Sequence, residues 1–274
     1  MRAIILAAGR GQRLQQPPGQ EQPKCLLRFG GVSLLERHLR LLRAAGVEEV
    51  VLGLGFEARQ VEAELDRLGW LPRPTITLNP AYELGSVLTV HTLADALTAG
   101  GDVLLMDADV LYDERILAPL VAGAHVNRLL LDRGFEPGDE PVKLCLRDGV
   151  PVELRKQLPA GLVYDTIGES VGFFRFDAAA ARRLAQLVAG YVDTGRAAAP
   201  HEEALRDLLL EGTQRFDVAD VSAAPWLEID FNVDVARAAS EVLPKLAPLA
   251  PVPLSVGAQP AAASRPQAFA GPAL

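Results

Sequence analysis

Cysteine is scarce in this chain: Cys25 and Cys145 are the only two in 274 residues. Two distant thiols build neither a disulfide framework nor a metal-ligand spacing, so the expected compartment is a reducing cytoplasm. No apolar run approaches the length of a membrane span. The opening apolar stretch breaks at Gly9-Arg10, too early for a secretory signal. Positive charge is also in short supply, with 27 Lys and Arg against 35 Asp and Glu, a formal charge of −8. The cations are scattered, which disfavours a nucleic-acid surface, although a few of them in one cleft still set a local field. His38, His91, His125 and His201 show neither triad nor zinc spacing and read as structural or surface histidines. No internal repeat is found. What the chain does have is 49% hydrophobic residues, enough to bury a full core.

Residues 6–14 read Leu-Ala-Ala-Gly-Arg-Gly-Gln-Arg-Leu, directly after the apolar run Ala3-Ile4-Ile5, and Pro23-Lys24 follows a little further on. A buried strand that breaks into small residues brings bare backbone N–H groups close to a ligand. Leu6, Ala7, Ala8, Gly9 and Gly11 supply that turn, and Arg13 and Lys24 put positive charge where a polyphosphate would lie. Arg10 is expected to face solvent. A Walker loop would need Gly-Lys-Ser/Thr, and a dinucleotide fingerprint would need a small residue where Leu14 stands; both are absent. Residues 15–22, rich in Gln, Pro and Gly, read as a mobile loop able to close over a triphosphate.

This opening resembles that of the nucleotidyltransferases that make sugar nucleotides and CDP-alcohols, and the resemblance runs from Met1 to about Val242. Three further segments look most like the cytidylyltransferases of small phosphorylated alcohols such as choline phosphate. They are Asn79-Pro80-Ala81-Tyr82, Met106-Asp107-Ala108-Asp109 and Trp226-Leu227-Glu228-Ile229-Asp230. The resemblance implies a three-layer, Rossmann-like α/β fold of the nucleotide-diphospho-sugar transferase type, with a mostly parallel sheet and a small antiparallel insert. It implies Mg2+-dependent transfer of CMP from CTP to a small phosphorylated alcohol or phosphonate, with release of pyrophosphate. A sugar-1-phosphate or inositol-1-phosphate nucleotidyltransferase using UTP, CTP or another NTP is the alternative. A silent nucleotide-binding protein would be expected to have lost a metal carboxylate or the Pro-Lys lysine, and this chain keeps them. The implied partners are CTP or another NTP and a small phosphorylated acceptor, with no nucleic acid and no membrane; a homodimer remains open.

The hydrophobic pattern places strands at 3–7, 50–54, 75–78 and 103–106, separated by helices at 33–45, 58–68 and 87–97. Ser33 and Glu36 form a capping box, and Gly46 suits the helix end. This alternation predicts right-handed crossovers and a parallel sheet. Beyond residue 127 the pattern shifts to short strands at 129–131, 142–146, 150–154 and 171–176, with Asp148-Gly149 a hairpin turn. Helices at 177–191 and 201–210, a strand at 227–231 and a helix at 233–243 complete a domain spanning 1–243. Residues 244–274 hold seven prolines and no period, and read as a tail that is disordered or loosely laid on the surface.

Asp107 and Asp109 close an apolar strand, at the edge where a parallel sheet gathers its ligands. Asp109 is the metal ligand expected there; Asp107 either faces the nucleotide or caps the next element. Period two puts Trp226, Glu228, Asp230 and Asn232 on one strand face, opposite Leu227, Ile229, Phe231 and Val233. The resemblance assigns Asp230 to the metal beside Asp109, with Glu228 as helper. A regular pleat places Val150, Val152, Leu154, Lys156 and Leu158 on one face, with Arg155 on the other, so Lys156 either snorkels outward or meets an anion. The resemblance, in which a lysine of this region contacts the acceptor phosphate, favours the anion. Arg13, Lys24 and Lys156 are thus the expected catalytic cations. Ser86 is a candidate for the pyrimidine or an ordinary helix cap. Tyr82, Glu169, Glu202 and Trp226, with Lys156, are candidates for the acceptor, where a cationic amine would favour aromatic faces and carboxylates. Glu202 and Glu203 also suit a helix start without any ligand.

Overall fold

The computed structural model describes residues 1–17, 19–123 and 127–250. In chain order the elements begin with strand β1 (Arg2–Ala7), the short hairpin β2 (Arg28–Phe29) and β3 (Val32–Ser33), helix α1 (Leu34–Ala44), β4 (Glu49–Leu54), α2 (Ala58–Leu68) and β5 (Thr75–Leu78). Then come α3 (Ser86–Thr92), α4 (Ala94–Thr98), β6 (Val103–Asp107), β7 (Val110–Tyr112) and α5 (Glu114–Val121). The second half holds β8 (Asn127–Asp132), β9 (Lys143–Arg147), β10 (Val150–Arg155), β11 (Thr166–Phe176), α6 (Ala178–Asp193), α7 (His201–Leu210), β12 (Phe216–Asp220), β13 (Trp226–Glu228) and α8 (Asn232–Arg237).

Alternating apolar side chains on β1 explain the layering. Ala3, Ile5 and Ala7 pack on one side against Leu35, Leu39 and Leu42 of α1, Val61 and Leu65 of α2, and Ile116 and Leu120 of α5. Ile4 packs on the other, among Val87 and Val90 of α3 and buried residues of α6 and α7. Such burial on both faces requires a sheet sandwiched by helices, the three layers expected. Strands β6, β1, β4 and β5 run parallel in that spatial order. Strand β11 adds antiparallel to β6 and carries β9, β10 and β8 with it, so the antiparallel part continues the same nine-stranded sheet. Ser33 caps α1 by accepting from the Glu36 N–H at 3.1 Å. Glu36 turns its own carboxylate to Arg40 and Arg67.

Several expected elements change shape. The helix at 87–97 is two, α3 and α4, joined at Leu93. The expected strand at 227–231 stops at Glu228, and the backbone N–H groups of Asp230 and Phe231 turn instead to the Asp234 carboxylate, at 3.0 and 2.7 Å. Phe231 and Val233 are consequently exposed rather than part of an apolar face. In β10 the register slips between Pro151 and Glu153, so the regular pleat expected for residues 150–158 fails. Val150 is exposed, Glu153 is buried on Arg206, and Lys156 lies just past the strand end. The β2–β3 hairpin, β7, α5 with Pro119 inside it, and β12 lie where the hydrophobic pattern predicts no such element. Residues 243–245 form a 3-10 turn, Leu246 and Leu249 pack onto the core, and the Ala247 N–H donates to Asp113. His125 and the rest of the expected tail lie outside the described residues.

Candidate active site

Two acidic segments meet because two short strands pair. Antiparallel β7 and β13 set Glu228 opposite Val110, and the next rung is a hydrogen bond from Ile229 N–H to Asp109 C=O at 2.9 Å. Asp109 precedes one strand and Asp230 follows the other, so the ladder fixes their carboxyl groups side by side. Oxygens of Asp109, Glu228 and Asp230 lie within 4.8 Å of one another. Beneath them, buried His38 donates from Nε2 to Ala108 C=O and accepts at Nδ1 from the Tyr112 hydroxyl, both at 3.2 Å. Burial holds its pKa down to about 4, so the ring is neutral and its role is structural, as expected.

The glycine turn delivers the cations. Pro23 starts a 3-10 turn at Lys24–Leu26 that aims the lysine back across Gly11. Gly11 has φ +63°, and a Cβ there would sit 2.9 Å from the Lys24 stem, so two physical reasons demand glycine. Lys24 Nζ donates to Asp109 Oδ2 at 2.9 Å and to Asp230 Oδ1 at 2.7 Å. Burial alone would lower its pKa, but the two carboxylates push it above the usual range. Arg13 reaches the second oxygen of Asp230 at 2.9 Å and lies over the Phe231 ring. Burial, together with Asp109 and Asp230, raises the Glu228 carboxyl well above its usual pKa. Arg10 is half exposed, as expected. Within the loop expected to be mobile, Gln15 N–H donates to Asn232, and the Gln16 side chain pairs with the Gln22 backbone.

A cavity of about 340 Å3 is lined by Leu6, Ala7, Ala8, Gly9, Gly11, Arg13 and Lys24 and by Tyr82, Ser86, Asp107, His201 and Glu202. Asp109, Glu228 and Lys156 face it as well. Every residue nominated for the nucleotide therefore borders one space. The Ser86 hydroxyl, however, is engaged by His201, whose backbone N–H donates to it at 2.8 Å. Asp107 points past Asp109 towards β11, where Gly172 has φ +78° and a Cβ would collide with its carboxylate. Burial, Asp109 and Glu202 raise the Asp107 pKa well above the ordinary value.

The five acceptor candidates do not gather in one place. Tyr82, Glu202 and Lys156 border the first cavity, whereas Glu169 and Trp226 border a second, of about 380 Å3, that also touches Glu228 and Asp230. Its lining holds eight carboxylates and one cation, Arg237, with Phe135, Trp226 and Phe231 as aromatic faces. Trp226 Nε1 donates to Asp132 at 2.7 Å. Burial and the neighbouring Asp132 push Glu169 up to about 7. Between the two cavities Glu140 accepts from Arg13 and, at 3.2 Å, from Lys156. Arg155 pairs with Glu203. Glu140, Gly172 and Asp132 carry no sequence signal, because each acts through a partner distant in the chain. Buried Cys25, its thiol pushed up to about 12 by burial, is no nucleophile.

Among the described residues no helix is long and apolar enough to cross a membrane. The "Bifunctional IPC transferase and DIPP synthase" of Rubrobacter xylanophilus is 29% identical over 88% of this chain and 52% of its own. The "CMP-5'-(3-aminopropyl)phosphonate synthase" of Streptomyces rubellomurinus is 27% identical over 87% of this chain and 38% of its own. The chain thus spans about half or less of these two curated relatives. In fold it is similar to the inositol-1-phosphate CTP transferase of T. maritima, with a TM-score of 0.70, 21% identity and coverage of 89% and 95% of the two chains. Residues 3–149 match the MobA-like NTP transferase domain, and the chain belongs to that family of nucleotidyltransferases.

Proposed function

We propose that this chain transfers CMP from CTP to a small phosphorylated or phosphonate acceptor that carries a positive charge, releasing pyrophosphate. The observation that carries the reading is the convergence of Asp109, Glu228 and Asp230 beside the Gly9–Gly11 turn and Lys24. Three hard oxygen donors suit a divalent cation, and the Lys24 ammonium bridging Asp109 and Asp230 marks the spot where positive charge is wanted. Asp109 and Asp230, with Glu228 as helper, would hold Mg2+, which when bound neutralises phosphate charge.

An acceptor oxygen forms a bond to the α-phosphorus of CTP as the bond to the β-phosphate oxygen breaks, and the electron pair leaves with pyrophosphate. The nucleophile is already anionic, so no strong base is needed, and catalysis rests on positioning and charge. Arg13, Lys24 and the backbone of the glycine turn hold the β- and γ-phosphates, and Lys156 steadies the acceptor phosphate. The likeness to the aminopropylphosphonate synthase and the acid-rich aromatic cavity both favour a cationic amine on the acceptor. An uncharged polyol phosphate is the second reading, favoured by likeness to the two inositol-phosphate proteins. The test is pyrophosphate release from CTP, UTP, GTP and ATP, each crossed with aminoalkyl phosphates, aminoalkyl phosphonates, inositol-1-phosphate and sugar-1-phosphates. Turnover with CTP and an amine-bearing acceptor is expected. No pyrophosphate from any pair contradicts the proposal.

A further inference from the structure

The cavity proposed to hold the nucleotide has a polar corner that the transfer reaction leaves unused, and any role for that corner rests on the nucleotide occupying the cavity. His201, the first residue of α7, is 5% exposed. Its backbone N–H donates to Ser86 Oγ at 2.8 Å, and its ring Nδ1 lies 3.1 Å from the same oxygen. Ser86 on α3 therefore fixes one edge of the imidazole. The opposite nitrogen, Nε2, is buried without a hydrogen-bond partner among the described residues. It faces Asp107 Oδ1 across 3.8 Å, and both residues line the cavity.

That distance is too long for a direct hydrogen bond, yet one hydroxyl oxygen between the two atoms reaches both. With the ring proton on Nε2, the imidazole donates to that hydroxyl and the hydroxyl donates in turn to the Asp107 carboxylate, while Nδ1 accepts from the Ser86 hydroxyl. An anionic oxygen does not suit this corner, because the Asp107 and Glu202 carboxyl groups flank it. The phosphates are better served by the cations Arg13 and Lys24 of the same cavity. We infer that His201 and Asp107 together grip a ribose hydroxyl of the bound nucleotide, and that Ser86 is the positioning residue that holds the imidazole in place.

Calorimetric titration with CTP, 2′-deoxy-CTP and 3′-deoxy-CTP, in Mg2+ and without acceptor, tests this directly. The wild-type chain is expected to bind CTP about ten-fold more tightly than one of the two deoxy analogues. In His201→Ala that ratio falls to about one, and in Ser86→Ala it falls part of the way, while inorganic pyrophosphate binds both variants as it binds the wild type. A wild type that holds all three nucleotides alike, or a His201→Ala variant that keeps the full ratio, overturns the assignment. Should His201→Ala not fold, the wild-type ratio and Ser86→Ala carry the same test. A wild type that binds none of the three contradicts the proposed function itself, which is a different result.

Discussion

The cavity behind the glycine turn is lined by three cations, Arg13, Lys24 and Lys156, and four carboxylates, whereas its neighbour beyond Glu228 holds eight carboxylates against Arg237. In the first, charges are met from within: Lys24 sits between Asp109 and Asp230, and Glu140 sits between Arg13 and Lys156. A divalent cation bound by Asp109 and Asp230 would take the place of the Lys24 ammonium, and a phosphate bound by Arg13 would take the place of the Glu140 carboxylate. In the second cavity the one lining cation, Arg237, pairs with Glu136 at 3.1 Å and leaves the other carboxylates in excess. Part of that excess is held down by raising Glu169 to about 7 rather than by pairing it. The first lining is therefore paired from within, and the second keeps a net negative charge.

The largest expected effect comes from removing a carboxylate proposed to hold the metal. Asp109→Asn or Asp230→Asn is expected to lower kcat/KM about a thousand-fold in a pyrophosphate-release assay. Chelation of divalent cations should abolish turnover in the wild type, and Mg2+ should restore it. Lys24→Ala comes next, at about a hundred-fold, since it removes one positioned donor from the phosphates.

The second cavity is probed by Glu169→Gln, expected to raise the KM of an amine-bearing acceptor about ten-fold and to leave that of inositol-1-phosphate unchanged. Glu169 faces Asp132, Lys143, Lys156 and Asp230. Its raised pKa makes it mostly neutral at pH 6 and mostly ionised at pH 8. The ratio of acceptor affinities, wild type over Glu169→Gln, should therefore climb as pH rises through about 7, and a flat ratio would remove Glu169 from the acceptor site. The smallest effect belongs to Glu140→Gln. Exposed ion pairs are weak, so freeing Arg13 and Lys156 should lower the KM for CTP by only about two- to five-fold.

The glycine turn, Lys24 and the α1 cap are legible in the sequence because each is a local pattern: small residues after a strand, a proline before a turn, a hydroxyl before a helix. Asp109 and Asp230 are also legible, though their meeting depends on a three-residue strand, β7, that leaves almost no periodic trace. The face of Lys156 escapes the pattern because the slip between Pro151 and Glu153 breaks the period of two. The strand face through Asp230 fails at Glu228 for a related reason, since Asp234 captures the backbone N–H groups that a further rung would use. His201 lacks metal or triad spacing and so reads as an ordinary histidine. Its partners Ser86 and Asp107 are far away in sequence, and only folding reveals the unpaired ring nitrogen.

The proposed chemistry depends most on one divalent cation held by the carboxylates that flank β7 and β13. Mn2+ binding followed by paramagnetic resonance, with CTP present, reads that directly. One tightly held Mn2+ per chain in the wild type, weakened at least about ten-fold in both Asp109→Asn and Asp230→Asn, is the predicted result. Equal Mn2+ binding by the wild type and both variants would contradict it.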